Sequence, residues 1–359
     1  MKKRNWLVLL LSVLIMSAIL IACGESDSSS ENSGETEEET ETTESAETDT
    51  EEETAGNEEV EEEGTGESTI EFLSMLTGGT SGTYYPLGGE MASIISDATG
   101  VQTDALSSNA SADNVVALQN GEAELAFVQT DVMDNAVQGI NAFDGNPVDN
   151  VQAIGSLYPE TIQIVTKKDA GITSVEDLAG KKVSVGAPGS GTYINAEQIL
   201  EIHDMSMDDI EAQNLDFSES TGGIQDGNID AAFITSGTPT GAVEGLAATV
   251  DVAIVPIEED KIDALIEQYP FYAKDTIAAG TYGLEEDVIT VAVLAMLAVT
   301  DNIPEDLGYE MTKAIYENAE PMAHDKSSYI TIDSALDGIG IELHPGAKKY
   351  FDEQGVTQE

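Results

Sequence analysis

The chain has 359 residues, of which 69 are acidic, 13 are Lys or Arg and one is Cys. Its formal net charge of −56 argues against nucleic acids and anionic lipid surfaces as partners, because both repel a strongly acidic protein. A single cysteine excludes an internal disulfide and a thiolate metal site. The three histidines are scattered, and no pair has metal-ligand spacing, so we expect no metal and no cofactor.

The N-terminus has the pattern of an export signal. Residues 2–4 are basic and residues 7–22 are almost wholly apolar. As a helix this run would measure roughly 24 Å, which is short for a bilayer core. A basic start, an apolar middle and a small-residue exit are typical of a signal peptide. Residues 20–24 (Leu-Ile-Ala-Cys-Gly) resemble the lipobox of bacterial lipoproteins, which implies removal of residues 1–22 and a diacylglycerol on Cys23. The alternative is an uncleaved anchor helix, and both place the rest of the chain outside the cytoplasm.

An acidic segment follows the signal. Residues 24–69 contain 20 acidic and no basic residues. Such a segment cannot bury enough apolar surface to offset its chain entropy, so we expect it to be disordered. We interpret residues 23–69 as a lipid-anchored tether that lifts the folded part off the membrane. An acidic interaction tail is the alternative.

From Ile70 onwards, short β-rich segments alternate with helical patterns, which is typical of an α/β fold. Strands are predicted at residues 70–75, 101–106, 125–128, 151–157, 162–166, 183–186, 231–235 and 252–256. Helices are predicted at residues 86–97, 112–120, 130–138, 192–203, 261–268 and 304–319. The apolar run at 288–299 is too short to span a bilayer, and we interpret it as a buried strand, with a helical continuation left open.

Two glycine-rich turns are candidate ligand-binding segments. The first, residues 77–89, follows the predicted strand at 70–75, and the second, residues 186–193, follows the predicted strand at 183–186. Each precedes a predicted helix, so each places unpaired backbone N–H groups and hydroxyls at a helix N-terminus, where a carboxylate or phosphate is favoured. Glycine also lets the backbone approach a ligand closely.

The same turns do not match catalytic motifs. Thr192 stands where a phosphate-binding loop needs Lys. Neither Ser81 nor Ser190 lies in Gly-x-Ser-x-Gly, because Thr83 and Pro188 replace a required glycine. No histidine is evidently placed as a partner base. We therefore predict a binding protein and not an enzyme.

Several short segments, in order along the folded part, carry a more specific signal. They are residues 77–88, 126–131, 185–192, 237–239, 272–282 and 344–347, followed by Tyr350. These segments resemble the TAXI family, the solute receptors of one branch of TRAP transporters. The resemblance covers the chain from about residue 70 to 355 and leaves out the signal and the acidic segment.

The resemblance implies an α/β, bilobal receptor of the type II periplasmic-binding-protein (Venus flytrap) fold. Lobe 1 would comprise residues 70–160 and 280–359, and lobe 2 residues 161–279, with one glycine turn of each lobe facing the cleft. It further implies an extracytoplasmic receptor that captures a small organic anion or amino acid, such as glutamate, glutamine or a dicarboxylate. Its partner would be an integral membrane TRAP permease, and we expect the receptor to be a monomer.

Candidate ligand-binding residues come from the two turns and from the ends of predicted strands. The turn residues are Gly79, Thr80, Ser81, Gly82, Thr83, Tyr84, Ser190, Gly191 and Thr192, and the strand-end residues are Gln129, Tyr158 and Ser236. The chain has no arginine after Arg4, so a guanidinium clamp on a carboxylate is not available. We expect backbone N–H groups and hydroxyls to hold the carboxylate, aided by one of Lys167, Lys168 and Lys274.

Two other functions remain open at this stage. A receptor for an ABC importer would share the fold and the tether, and neighbouring permease genes would distinguish the two. A surface adhesin or sensor domain would need no transporter. It would present an exposed apolar or aromatic patch, for which 5% aromatic residues leave little material.

Overall fold

The computed structural model describes residues 70–358, so the predicted signal, Cys23 and the acidic tether lie outside the described residues. The described residues belong to one compact unit. The strands are β1 (Phe72–Leu76), β2 (Gln102–Leu106), β3 (Leu125–Gln129), β4 (Val151–Lys167), β5 (Lys182–Ser184), β6 (Glu211–Gln213), β7 (Ala231–Ser236), β8 (Val252–Val255), β9 (Ala273–Ile277) and β10 (Val288–Thr300). The helices are α1 (Tyr84–Thr99), α2 (Ser111–Asn120), α3 (Thr130–Gln138), α4 (Gly191–Ile202), α5 (Phe217–Asp226), α6 (Gly241–Ala247), α7 (Glu259–Gln268), α8 (Glu305–Glu317) and α9 (Pro345–Gln354). Among the described residues, no helix combines the length and the apolar character needed to span a bilayer.

Most predicted elements are present within a few residues of their expected positions, with two corrections. The strands predicted at 151–157 and 162–166 are one continuous strand, β4, because Pro159 pairs with Leu294 at an irregularity of the β4–β10 ladder. The apolar run at 288–299 is strand throughout, with no helical continuation, because β10 pairs with neighbouring strands along its length. The elements β6, β9, α5, α6 and α9 were not predicted. β6 has three residues, and α6 contains two glycines, which weakens its helical pattern.

Local chemistry explains where many helices stop. Five helices, namely α1, α2, α3, α5 and α9, are followed by a glycine in the left-handed conformation. Glycine takes this conformation without the steric cost that a Cβ atom brings, and it lets the next backbone N–H bond the last helical carbonyls. These glycines therefore set the lengths of the helices that cover the sheet.

The sheet order places several strand ends at one crevice. The order is β2-β1-β3-β10-β4-β7-β5-β6, with β8 paired to β4 and β9 paired to β10. On one side β1 is parallel to β2 and β3, and on the other side β5 is parallel to β6 and β7. The long strands β4 and β10 are antiparallel to each other and join the two sides. In α/β sheets, ligands bind in the crevice beyond the carboxyl ends of the strands. Here the crevice lies beyond β1, β3, β5 and β7.

Buried apolar side chains form separate cores on the two sides of this crevice. The core of lobe 1 includes Tyr158 of β4 and Ala295 of β10. The main core of lobe 2 includes Ile162 of β4 and Val293 of β10, and a smaller cluster beside it contains Phe217 at its margin. Both long strands therefore run from one lobe into the other. The α/β, bilobal type II periplasmic-binding-protein fold is confirmed, whereas the exact lobe boundaries stay a prediction.

Candidate functional site

A cavity of about 250 Å³ lies between the two cores, where β1, β3, β5 and β7 end. This volume is slightly below the range typical of pockets for drug-sized ligands, so the cavity suits a small solute. Most of the predicted site residues line it, and they are Gly79, Thr80, Gly82, Thr83, Tyr84, Gln129, Ser190, Gly191, Thr192 and Ser236. The structure thus brings together two turns that are more than a hundred positions apart in the sequence.

Two predicted site residues, Ser81 and Tyr158, do not line the cavity. The Ser81 carbonyl accepts a hydrogen bond from the Ala242 N–H at 3.1 Å, so Ser81 joins the lobes beside the cavity. Tyr158 lies behind the wall, where its hydroxyl donates to Glu160 Oε1 at 3.3 Å. Both positions place the side chain next to lining residues rather than against a solute.

The first turn meets lobe 2 through hydroxyl groups. The Thr83 N–H donates to Ser236 Oγ at 3.2 Å, and the Ser236 hydroxyl donates to Thr83 Oγ1 at 3.0 Å. The Thr83 hydroxyl also lies 3.4 Å from the carbonyl of Gly237. Thr83 is the residue before α1, so these bonds fix the start of that helix against the end of β7. The cavity is therefore seen in a closed arrangement of the lobes.

The second turn presents the start of α4 to the cavity. Ser190 caps this helix, since its Oγ accepts from the Tyr193 N–H at 3.2 Å. The N–H groups of Gly191 and Thr192 lie in the first turn of the helix, where no intrahelical carbonyl is available to them. Together with the helix dipole, they form the best anion-binding feature of the cavity wall.

Backbone contacts also close the cavity at the second turn. The Gly189 carbonyl accepts from the N–H groups of Ala112 and Asp113, at 2.9 and 3.2 Å, at the start of α2. Gly189 has a φ of 75°, and a Cβ atom there would collide with the Asp113 carboxylate. At Gly191 a Cβ atom would overlap the side-chain amide of Gln129 on the opposite lobe. Glycine at both positions allows the lobes to approach this closely.

Sequence reasoning missed other lining residues. They are Gly78, residues 107–111 before and at the start of α2, Glu160, Ala187, Asp216, Phe217 and Thr235. Glu160 is chemically the most informative of these because it is a carboxylate with 2% exposure. One signal could have found it: Glu160 is the sole acidic residue between positions 151 and 167, in a segment otherwise suited to a buried strand.

Two tyrosine hydroxyls donate hydrogen bonds to Glu160. The Tyr84 hydroxyl donates to Oε2 at 2.9 Å, and the Tyr158 hydroxyl donates to Oε1 at 3.3 Å. Burial raises the pKa of Glu160 to about 8, even though Tyr84, Gln129 and Tyr158 favour its ionised form. Burial therefore favours the protonated form of Glu160.

No Lys, Arg or His is among the lining residues within the described part of the chain. The three lysines predicted as candidates have other partners. Lys167 Nζ donates to the Gln225 carbonyl at 2.9 Å, Lys168 pairs with Glu285 at 2.7 Å, and Lys274 pairs with Glu259. The structure thus places none of the three at the cavity, and each has a polar partner elsewhere.

A buried polar network lies behind the cavity and also joins the lobes. Asp131, at the start of α3, accepts from Asn195 Nδ2 of α4 at 3.2 Å through Oδ2. Asn195 Oδ1 in turn accepts from the Thr235 hydroxyl at 3.0 Å, and Asn195 Nδ2 also donates to the Tyr272 hydroxyl at 2.9 Å. Asp131 Oδ1 is buried and has no hydrogen-bond partner among the described residues. Burial raises the pKa of Asp131 to about 7.

Comparison with solved structures gives several similar molecules at low sequence identity. One is a protein from Bordetella bronchiseptica RB50, with 16% identity, a TM-score of 0.49, and coverage of 79% of this chain and 81% of that chain. A second is the alkanesulfonate-binding protein SsuA from Xanthomonas axonopodis pv. citri bound to MOPS, with 13% identity, a TM-score of 0.46, and coverage of 79% and 83%. A third is a putative L-cystine ABC transporter from Listeria monocytogenes, with 13% identity, a TM-score of 0.45, and coverage of 74% and 98%.

The comparison with protein families gives a match over most of the chain. The model of the NMT1-like family matches residues 75–355, a range that includes every residue lining the cavity. The chain belongs to the NMT1-like family.

Proposed function

We propose that the chain is the lipid-anchored, extracytoplasmic solute receptor of a TAXI-type TRAP transporter. It captures a small carboxylate, such as glutamate, glutamine or a dicarboxylate, and delivers it to a membrane permease. The observation that carries this proposal is the interlobe cavity, which both glycine turns line. The segments that resemble the TAXI family include these same turns.

The solute carboxylate binds at the start of α4. The N–H groups of Gly191 and Thr192 donate to it, and hydroxyls such as Thr80 on the facing turn supply further hydrogen bonds. None of the described residues that line the cavity is cationic, so neutral donors and the helix dipole hold the carboxylate in a protein whose net charge is strongly negative. Such donors gain strength when closure excludes water.

Solute binding is coupled to lobe closure. The bonds that hold the closed arrangement include Thr83 with Ser236, Gly189 with the start of α2, and Ser81 with Ala242. Without a solute we expect the protein to populate an open form in which these bonds are broken. The solute shifts the population because it contacts both lobes at once.

A first prediction tests binding and closure together. Saturating solute should stabilise the protein by about 2.7 kcal/mol at a hundredfold excess over Kd. It should also lower the radius of gyration, since the lobes close around it. Thermal denaturation across a panel of amino acids and dicarboxylates identifies the solute, and small-angle scattering then measures compaction. A solute that stabilises the protein at unchanged radius would contradict the closure mechanism.

A second prediction concerns the membrane anchor, which depends on a residue outside the described range. Replacing the lipid-bearing thiol in Cys23→Ser should move the protein from the detergent phase to the aqueous phase, or block its maturation. A single acyl group binds a membrane only marginally, so a diacylglycerol is needed for stable anchoring. Ser28→Ala in the acidic segment serves as the control, with partitioning like the wild type. Equal partitioning of the Cys23 variant and the wild type would exclude the lipid anchor.

The identity and the energy source of the membrane partner test the transporter class. Genes for TRAP permease subunits next to the receptor gene, and solute uptake that depends on an ion gradient, support the proposal. Uptake that depends on an ATP-hydrolysing subunit would instead assign the chain to an ABC importer. Solute binding without any transport defect on deletion would favour a sensor domain.

A further inference from the structure

The cavity wall offers both hydrogen-bond donors and hydrogen-bond acceptors. Gly191 and Thr192 present N–H donors at the start of α4. Glu160 and Gln129 present oxygen acceptors, and Gln129 Oε1 is buried without any hydrogen-bond partner among the described residues. A buried acceptor without a donor costs free energy, and a solute that supplies the donor removes that cost.

We propose that Glu160 selects the solute by binding an ammonium group, so that the cavity takes a carboxylate carrying a positive charge in preference to a dicarboxylate. This inference rests on the proposed function, since it names the solute class of the same cavity. The carboxylate of the solute lies at α4, and its ammonium group donates to Glu160 and to Gln129 Oε1. The carboxylate of the bound zwitterion then meets the N–H donors of α4, and its ammonium group meets the carboxylate of Glu160.

The hydrogen bonds around Glu160 favour an ionised carboxylate in the complex. Both of its oxygens already accept a hydroxyl donor, one from Tyr84 and one from Tyr158. Once Glu160 is ionised, this arrangement satisfies its oxygens but leaves its charge without a counter-ion, because no lining residue in the described range is cationic. An ammonium group supplies that counter-ion, whereas a second carboxylate on the solute would meet a like charge or compete for a proton.

Binding of the ammonium group therefore displaces the proton of Glu160. The pKa of Glu160 is raised to about 8 by burial, and a neighbouring cation lowers it again. The groups that face Glu160 are Tyr84 of α1, Gln129 of β3, Asp131 of α3 and Tyr158 of β4. Affinity for an ammonium-bearing solute should rise with pH up to about 8, with release of a proton below that pH. A Glu160 that instead donated its proton to a solute carboxylate would give the opposite pH dependence.

The test compares L-glutamate with glutarate, which differ only in the ammonium group, by calorimetry on the full protein. We expect at least ~10-fold tighter binding of glutamate or glutamine than of glutarate. Repeating the titrations in buffers with different ionisation enthalpies should show proton release on binding of the amino acid. In Glu160→Gln the preference for glutamate should shrink to below ~3-fold and the proton release should vanish. The exposed Glu267→Gln on α7 is the matched control, with wild-type preference.

Two failures are distinguishable. Equal affinity for glutamate and glutarate, or affinity for glutamate that falls as pH rises to about 8, overturns the role of Glu160 and leaves the carboxylate receptor standing. If neither of these carboxylates nor glutamine binds the wild type, the proposed solute class is wrong, and the inference is overturned with it. The comparison of glutamate with glutarate uses the wild type, so it remains decisive even if Glu160→Gln does not fold.

Discussion

Gly191→Ala should weaken solute binding by at least ~10-fold while the protein stays folded, because overpacking by one methyl group costs about 1–3 kcal/mol where the surroundings cannot yield. The added Cβ would overlap the Gln129 amide across the interlobe gap. Gly191 does not have a positive φ, so alanine fits its backbone, and alanine is a better helix former than glycine. The substitution should therefore disfavour lobe closure without destabilising the fold of lobe 2.

A helical glycine elsewhere provides the control. A Cβ atom added at Gly222 of α5 would have no neighbouring residue within 4 Å, so the Gly222→Ala variant should bind solute like the wild type. The alanine variants of Lys167, Lys168 and Lys274 should also bind within ~2-fold of the wild type, since exposed ion pairs contribute little and none of these lysines lines the cavity. Calorimetry gives each affinity, and thermal denaturation without solute shows that each variant is folded.

A double-variant cycle isolates the cause. If the overlap with Gln129 is responsible, Gly191→Ala should cost much less in a Gln129→Ala background than in the wild type. Normal binding by Gly191→Ala, together with loss of binding in one lysine variant, would disprove the account in which the α4 backbone holds the carboxylate. An undiminished cost in the Gln129→Ala background would show that the methyl group obstructs the solute itself.

The parts of the fold that depend on local pattern were predictable. The strand–turn–helix units at β1–α1 and β5–α4 have clear signals, because a β-rich run, a glycine turn and an amphipathic helix follow one another. The start of α9 also carried a signal that was not used, since Pro345 stands at the first helical position after a capping His344. The resemblance then supplied the bilobal arrangement, which local pattern does not give.

The parts of the site that depend on distant contacts were not predictable. The hydrogen-bond partners of Glu160 are one example, because α1 brings Tyr84 to it across 76 positions of sequence. Likewise, the Gly189 carbonyl accepts hydrogen bonds from the N–H groups of Ala112 and Asp113 at the start of α2, a contact that the sequence does not indicate. The same holds for the candidate lysines. Lys168 pairs with Glu285, which is 117 positions away, and the sequence pattern does not indicate this contact.

Asp131→Asn should make the protein more stable than the wild type above pH 7 and about equally stable near pH 4. Burial raises the pKa of Asp131 from 3.8 to about 7 in the folded protein. Between these pH values the unfolded chain has lost the proton that the folded protein still binds, so the free energy of unfolding falls as pH rises. Asparagine mimics the protonated side chain and avoids this loss. The free energy of unfolding of the variant should therefore exceed that of the wild type by a gap that grows between pH 4 and pH 7. Above pH 7 this gap should stay constant, on the order of a few kcal/mol.

Urea denaturation at pH 4.5, 6, 7 and 8.5 measures the gap, using ~0.5 kcal/mol as the smallest meaningful difference. The exposed Asp97→Asn on α1 controls for the loss of one negative charge from a strongly acidic protein. The pKa of Glu160 shifts in the same direction, from 4.5 to about 8, and the charge of Asp131 contributes to that rise. Removing the charge of Asp131 should therefore also ease the ionisation of Glu160. A gap that is constant over this range, or that narrows as pH rises, would show that Asp131 is already ionised in the folded protein at neutral pH. The Asp131–Asn195 bond would then join the lobes as a charged hydrogen bond, and raising the pH would not weaken it.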